Sequence, residues 1–425
     1  MSQQVNNTLW ALSRNSIFES NILKGEDRVD VAVIGGGFTG TSAALRFAEA
    51  GSNVALLEAE YSGFGGSGRN VGLTNAGLWI NPEDVERSIG KRYGERLNDF
   101  LSAAPDMVYD LIDEHNIECD AVRNGTLHLA HSEAGLKAIE ERAWQINARG
   151  GSVMLLDKAE TYKLTTAENY LGAIHDMRAG TIQPLEYCHG LMKAAQNAGC
   201  KVYTNTPAMS IRHKRGRWHI KTPKGILIAE RVLMATNAYL EHILPLIKRS
   251  YTPMHYCQLA SDPLDDEKLK HFLPGKNGTW DTRTVMRSYR TDADGRIIIG
   301  TIGNIFMDNA PILTSWANKM IRETFPDVGP VNWTYKWSGR IACSKSYIPN
   351  IHDLGRGIYS ISGFSGRGIA PGTAFGRAMA DFILGRTNSR DMPLPFNTVK
   401  SVPFNKIREI YYETGSQLTR LFDHL

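Results

Sequence analysis

Apolar side chains crowd residues 29 to 34 (VDVAVI), and three glycines follow at once. A short, nearly continuous apolar run that ends in glycine reads as a buried strand. Thr41 to Ala50 then carries Ala44, Leu45 and Phe47 on one side of a helical repeat, and Asn53 to Leu57 (NVALL) reads as a second buried strand. Strand, helix and strand in this order predict a parallel βαβ unit. Residues 83 to 148 follow a mostly helical pattern, broken by one strand at Gly125 to Ala130 (GTLHLA). A helix is predicted from Pro184 to Gly199, and strands at KVYTN, RWHIKT and ILIAERVLMATNAY. Between 250 and 300, strand signals alternate with turns such as DADG, and from Trp337 the pattern returns to strand, glycine loop and helix.

The first pattern therefore recurs after long interruptions. This predicts an α/β Rossmann-like domain made of separated segments, 1–82, 150–245 and 337–425. An interleaved α+β domain, from 83–149 and 246–336, would be built on a mixed or antiparallel sheet. A chain of 425 residues is long enough for two such cores. Its 42% hydrophobic and 22% charged residues are those of an ordinary globular protein, and a net charge of +4 gives no argument for nucleic acid. No apolar run is long enough for a membrane span, and MSQQVNNTLWALSRNS lacks the apolar core of a signal peptide. The five cysteines are scattered, with no C-x-x-C pair. That points to a reducing cytoplasm and away from a structural metal.

The glycines carry the first chemistry. Gly35, Gly37 and Gly40 fit G-x-G-x-x-G. In such a loop the first glycine turns the chain, the second admits a pyrophosphate and the third lets helix and strand pack closely. The helix N-terminus then offers unpaired N–H groups to the phosphates. Glu58 closes the second strand, at the distance of one βαβ unit, where a carboxylate can accept both ribose hydroxyls of an adenine dinucleotide. Both nicotinamide and flavin dinucleotides use this loop. Three later stretches favour a flavin: Gly63 to Gly72 (GFGGSGRNVG), Val232 to Tyr239 (VLMATNAY), and Gly357 to Leu384, where a second glycine loop opens a helix near Ala370 or Pro371. A helix N-terminus stabilises negative charge on a reduced flavin ring.

On these motifs, together with TLWALS, LLEAEYSGFGGSGRNVG, SYRTDADGRIIIG and YKWSG, the sequence resembles the FAD-dependent amine and amino-acid oxidases of the D-amino-acid oxidase type. That family includes glycine and sarcosine oxidases, and the likeness is nearest to its γ-glutamylputrescine oxidoreductase-like branch. The resemblance implies an FAD domain joined to a domain whose sheet covers the flavin. It implies that Gly35, Gly37, Phe38, Thr39, Gly40, Glu58 and Ala59 hold the ADP half, with Ala208, Ala235, Thr236 and Asn237 nearby. Gly66, Ser67, Gly68, Arg69, Asn70, Gly72 and Leu73 would run past the pyrophosphate and the flavin. Gly339 and the stretch Gly366, Arg367, Gly368, Ile369 and Ala370 would flank the ring. The implied reaction is hydride transfer from the carbon beside an amine nitrogen to flavin N5. The imine is then hydrolysed, and O2 takes the electrons.

The departures from the family pattern are informative. Nothing from Phe64 to Asn75 is His or Cys, and Cys343 stands off the register of a covalent link, so FAD is expected to bind non-covalently. Lysines of the sarcosine-oxidase branch are replaced by Ile298 and Ala370, which bears on the electron acceptor. Arg367 stands where the nearest branch carries His, and Arg287, Arg290 and Arg340 also fall on segments expected to line the substrate cavity. With Tyr256 and Tyr289 these form the candidate catalytic and substrate-binding set. Their charge predicts an anionic small-molecule amine, such as sarcosine or iminodiacetate. A γ-glutamyl-polyamine substrate, or a dehydrogenase subunit with another acceptor, is the alternative. The tail places Phe404, Ile407, Tyr411, Leu418 and Leu421 at helical spacing, as for a helix packed on its own core.

Overall fold

The computed structural model describes residues 8–13, 18, 20–240, 243–305, 310–403, 405, 407–409 and 414–415. Two sheets dominate. The first joins β1 (Gly25–Ile34), β2 (Val54–Leu57), β6 (Lys201–Tyr203), β7 (Ser210–Lys214), β8 (Arg217–Lys221), β9 (Gly225–Met234), β15 (Asn350–Asp353) and β16 (Ile358–Ser362). The second joins β3 (Thr126–Ala130), β4 (Val153–Leu156), β5 (Gly172–Asp176), β10 (Thr252–Pro263), β11 (Gly278–Asp281), β12 (Arg287–Thr291), β13 (Arg296–Ile302) and β14 (Tyr335–Cys343).

In the first sheet the order is β15-β16-β9-β1-β2-β6, with the β7–β8 hairpin attached to β9. β1 is parallel to both β2 and β9, pairing Val33 with Leu56 and with Leu233. This is why β1 reads as a continuous apolar run: a central parallel strand is buried on both faces. Val31 and Val33 pack under the helices Phe38–Glu49 and Ala370–Ile383, while Ala32 and Ile34 join a second core on the other face. The expected helix start at Thr41 moves back to Phe38. Gly37 is the N-cap, and the Thr41 N–H donates to its carbonyl at 2.9 Å.

The second sheet runs β14-β10-β13-β12-β11-β3-β5-β4 and is mixed, with β11 parallel to β3 and the other neighbours antiparallel. Its far face packs on the helix Ala310–Thr324 in a core that includes Trp316, Leu313 and Ile299.

Three segments differ from the sequence expectation. Strands β4 and β5 lie between 150 and 245 yet belong to the second sheet, as does β14 beyond Trp337. Conversely, Val85, Leu97, Leu101 and Val108, on helices between 82 and 114, pack into the core of the first sheet. An amphipathic helix announces that it will cover something but not which sheet. Of the tail positions, Ile407 is exposed, whereas Phe404, Tyr411, Leu418 and Leu421 lie outside the described residues. Among the described residues no helix is long and apolar enough to cross a membrane. The five cysteines are free and buried.

Candidate active site

The C-terminal ends of β1, β2 and β9 open into a cavity of about 1710 Å³ whose opposite wall is the second sheet. That volume exceeds the several hundred Å³ of an ordinary small-ligand pocket and leaves room for a dinucleotide with a second, smaller molecule.

At one end lies the glycine loop. Gly35 has φ +110°, and a Cβ there would stand 2.8 Å from the Ala235 carbonyl oxygen. At Gly40 a Cβ would fall 1.9 Å from the Gly35 carbonyl oxygen, so only glycine lets the helix sit this close to β1. At Gly37 it would meet Ser67 Oγ at 2.7 Å. Ser67 Oγ in turn accepts the Phe38 N–H at 3.0 Å, which ties the 66–70 segment to the helix start. The Glu58 carboxylate accepts the N–H groups of Gly36 at 2.6 Å and Glu60 at 3.0 Å. Burial raises its pKa above the ordinary value. Hydroxyl donors arriving beside it would favour the charged form.

A second helix start faces the same space. The N-cap residues of Ala370–Ile383 and Phe38–Glu49 make no side-chain cap bond, and in Phe38–Glu49 the Phe38 N–H is taken by Ser67. The two helices pack so closely that a Cβ on Gly376 would lie 2.4 Å from the Thr39 carbonyl oxygen. Around Gly368 nothing stands within 4 Å of the Cβ position. Two converging helix starts, neither capped by its own N-cap side chain, beside a glycine cradle and a strand-end carboxylate fit the diphosphate, ribose and ring of a flavin dinucleotide.

The facing wall is a single row of the second sheet. Gln258 pairs with Gly300, Gly300 with Ser288, Ser288 with Trp280, and Trp280 with His128. Residues directly opposite share a face, and Gln258, Gly300, Ser288, Trp280 and His128 all line the cavity. His128 stacks on Trp280 at 3.4 Å with an interplanar angle of 11°. Burial, with Arg142 and Arg367 adding to it, holds the imidazole well below its usual pKa and therefore neutral.

Arg367 occupies the corner between this wall and the second glycine loop. Its guanidinium lies 4.4 Å from each of the ring centres of Trp79 and Trp280. The residue is 4% exposed, and its buried Nε and Nη2 have no hydrogen-bond partner. The buried Trp79 Nε1 has none either. Burial, followed by the Arg142 charge, pushes the Arg367 pKa down to about 9, which still leaves it cationic at pH 7. Arg367 Nε and Nη2 and Trp79 Nε1 are three buried donors without an acceptor, two of them on a cation, and a carboxylate is the acceptor that suits such donors.

Many of the sequence-predicted cofactor residues line this cavity: Gly35, Gly37, Phe38, Thr39, Glu58, Ala59, Gly66, Ser67, Asn70, Leu73, Ala208, Ala235, Thr236, Asn237, Gly366, Arg367, Gly368, Ile369 and Ala370. Arg340 and Tyr256 line it too. The Arg340 guanidinium sits 4.6 Å over the Tyr239 ring, and the Tyr256 hydroxyl donates to the Gly66 carbonyl at 3.5 Å.

Other predicted residues serve differently. Arg287 and Tyr289 point to the far face of β12, Arg287 over Trp316 and Tyr289 into the Phe325 core. Alternation along the strand puts Ser288 on the cavity side instead. Arg290 faces the first sheet's loop but is spent on the backbone, donating to the carbonyls of Ile182 at 2.7 Å and Val71 at 3.1 Å. Arg69 likewise binds the carbonyls of Phe64 and Ser338. Gly40, Gly68, Gly72 and Gly339 are close-packing positions rather than lining ones. At Gly72 a Cβ would meet the Ile182 carbonyl oxygen at 2.2 Å, and at Gly339 the Tyr256 hydroxyl at 2.4 Å. Ile298 packs among Trp10, Ala260 and Trp337. Cys343 does line the cavity, and burial pushes its thiol up to about 12.

Trp79, His128, Gln258, Trp280 and Ser288 were not legible as site residues. His128 had one signal: in TLHLA it alternates with Leu127 and Leu129, which places it on the face opposite their core.

The model of the FAD dependent oxidoreductase (DAO) family matches residues 30–382. The γ-glutamylputrescine oxidoreductase of Escherichia coli K12 is 28% identical over 420 residues, covering 96% of this chain and 98% of its own. A Haemophilus influenzae protein described as "Probable oxidoreductase OrdL" is 30% identical over 380 residues, covering 88% and 87% of the two chains. The crystal structure of glycine oxidase from Geobacillus kaustophilus superposes with a TM-score of 0.70 at 20% identity, covering 85% of this chain and 96% of its own. The chain belongs to the FAD dependent oxidoreductase (DAO) family, and FAD is its cofactor.

Proposed function

We propose that this oxidoreductase oxidises the C–N bond of a small amine that carries a carboxylate, with FAD held non-covalently and O2 as the electron acceptor. The N-substituted glycines, sarcosine and iminodiacetate among them, are the substrate class that fits. The observation that carries the reading is Arg367, a buried cation whose Nε and Nη2 are unpartnered beside the equally unpartnered Trp79 Nε1. Desolvating such donors is costly unless an acceptor arrives, and a carboxylate offers two oxygens to a guanidinium edge.

When bound, FAD would supply the two-electron acceptor for this oxidation. The chain's own groups bind and orient. The glycine loop, Glu58 and the two helix starts would hold the dinucleotide, and Tyr256 and Arg340 would border the ring. Arg367 and Trp79 would fix the substrate carboxylate. Loss of a hydride and a proton from the amine gives an imine; water then adds at carbon and the C–N bond breaks, leaving a carbonyl product and an amine. Asp281, next to Trp280 on β11, is matched by Arg283 at 2.7 Å and accepts from the Tyr170 hydroxyl at 3.0 Å. Net positive charge around the amine lowers its pKa and favours the neutral form that gives up hydride.

An amine panel mixed with the flavoprotein without oxygen tests this. Carboxylated secondary amines should bleach the flavin fastest, and admitting air should restore the colour with one peroxide per turnover. Faster bleaching by polyamines or uncharged amines contradicts the reading.

A further inference from the structure

The carboxylate corner leaves the other end of the substrate unexplained. The wall that faces it holds a second orphaned group. Gln258 is 4% exposed, lines the cavity, and its buried Oε1 has no hydrogen-bond partner. Its place is fixed by a glycine. At Gly300, the residue directly opposite on β13, a Cβ would lie 2.6 Å from Gln258 Oε1 and 2.4 Å from Ser288 Oγ. Any side chain at 300 would fill the space that the amide and the hydroxyl share. The notch therefore exists because residue 300 has no side chain, yet Ser288, on the other side of it, does not satisfy the Gln258 oxygen.

We propose that Gln258 is the substrate-positioning residue for the amine: its Oε1 accepts the substrate N–H while Arg367 and Trp79 hold the carboxylate. This rests on the carboxylated-amine reading above and adds the group that sets the direction of the nitrogen. Gln258 and Trp280 are three strands apart in one row of the sheet, which at about 4.8 Å per strand is roughly 14 Å between backbones. The long Gln258 side chain reaches in from one side and the Trp-clamped guanidinium of Arg367 from the other, so a short amino acid lies between them. An amide is the suitable acceptor here. A carboxylate in its place would stabilise the ammonium and so raise the amine's pKa, withholding the lone pair that drives hydride loss. A neutral amide orients the N–H and leaves that equilibrium to the surrounding arginines.

The test compares two ligands of equal shape: sarcosine, and methylthioacetate, in which sulfur replaces N–H. Each is examined on the FAD-loaded wild type and on Gln258→Met and Gln258→Leu, which keep the side-chain bulk. Methylthioacetate is followed by perturbation of the flavin spectrum at equilibrium, and sarcosine by the rate of flavin reduction without oxygen. For both variants the sarcosine reduction rate divided by its apparent Kd should fall at least tenfold, and the Kd of methylthioacetate should change less than threefold. Equal weakening of both ligands, or a sarcosine rate that stays within threefold of wild type, overturns the role of Gln258 alone. A wild type that fails to bind methylthioacetate overturns the carboxylate reading, and this inference with it.

Discussion

The Arg367 guanidinium stands 4.4 Å from the centre of the Trp280 ring, and Trp280 pairs directly with His128 across the strand boundary. One relationship thus couples the second glycine loop to the wall of the other sheet. The two tryptophan faces stabilise the cation without using its N–H groups, and Nε and Nη2 have no other partner.

Glu58 ties cofactor affinity to pH. Burial raises its pKa in the FAD-free protein, and ribose hydroxyls donating to the carboxylate would lower it again on binding. Binding then releases a proton. FAD affinity should be flat above the raised pKa and weaken as the pH falls through it, by up to about tenfold per unit. Glu58→Ala should remove that slope and weaken retention by about 1.5–3 kcal/mol. Titration of FAD into the apoprotein at several pH values checks both.

Two glycines should behave in opposite ways. Gly40→Ala puts a Cβ 1.9 Å from the Gly35 carbonyl oxygen, so the helix must move off β1. A loss of about 1–3 kcal/mol in stability, together with loss of flavin, is expected. Gly368→Ala meets nothing within 4 Å and should leave the apoprotein's melting temperature unchanged while lowering FAD affinity, because its methyl group enters the cavity side of the loop. Thermal melts with and without FAD separate the two.

Arg290 should prove structural. Arg290→Met strands the carbonyls of Val71 and Ile182, to which Nη1 now donates, while the Gly72 carbonyl keeps the Ile182 N–H. The expected loss is roughly 2–4 kcal/mol of stability, with the substrate KM shifting less than threefold. A large KM change at unaltered stability would return Arg290 to the substrate site.

His128 should make the fold acid-sensitive. Its folded pKa lies well below the ordinary 6.5 because burial disfavours the imidazolium. Unfolded, it takes up a proton near 6.5; folded, it does not. Its contribution is therefore complete above pH 6.5 and lost progressively as the pH falls below it. Replacing it with Gln should flatten stability against pH between about 6.5 and 5 in denaturant titrations.

The loops that need glycine were readable in the sequence because backbone geometry leaves no other choice: Gly35, Gly37 and Gly40 stand where a Cβ would clash. The substrate wall was less readable. In RSYRT every residue but the tyrosine is polar, so no apolar alternation shows which of Ser288 and Arg290, or Arg287 and Tyr289, faces the cavity. Register with β11 and β13 decides it, and register is a long-range property. Strand β4 hides for a similar reason. Its VMLL exposes Met154 and Leu155, so the apolar run says nothing about which sheet it joins. Trp79 lies in a loop and meets Arg367 only through tertiary packing.

The central claim is that Arg367 selects a carboxylate. The most direct measurement is the rate of flavin reduction without oxygen for sarcosine and for its uncharged amide, N-methylglycinamide, on the wild type and on Arg367→Leu. A charge-assisted pair of about 1.5–3 kcal/mol predicts that the wild type prefers sarcosine by roughly 10- to 150-fold. Arg367→Leu should retain FAD and lose most of that preference, and Arg367→Lys should fall between, since it keeps the charge without the fork. An unchanged preference in Arg367→Leu, or a wild type that reduces faster with the amide, would contradict the account.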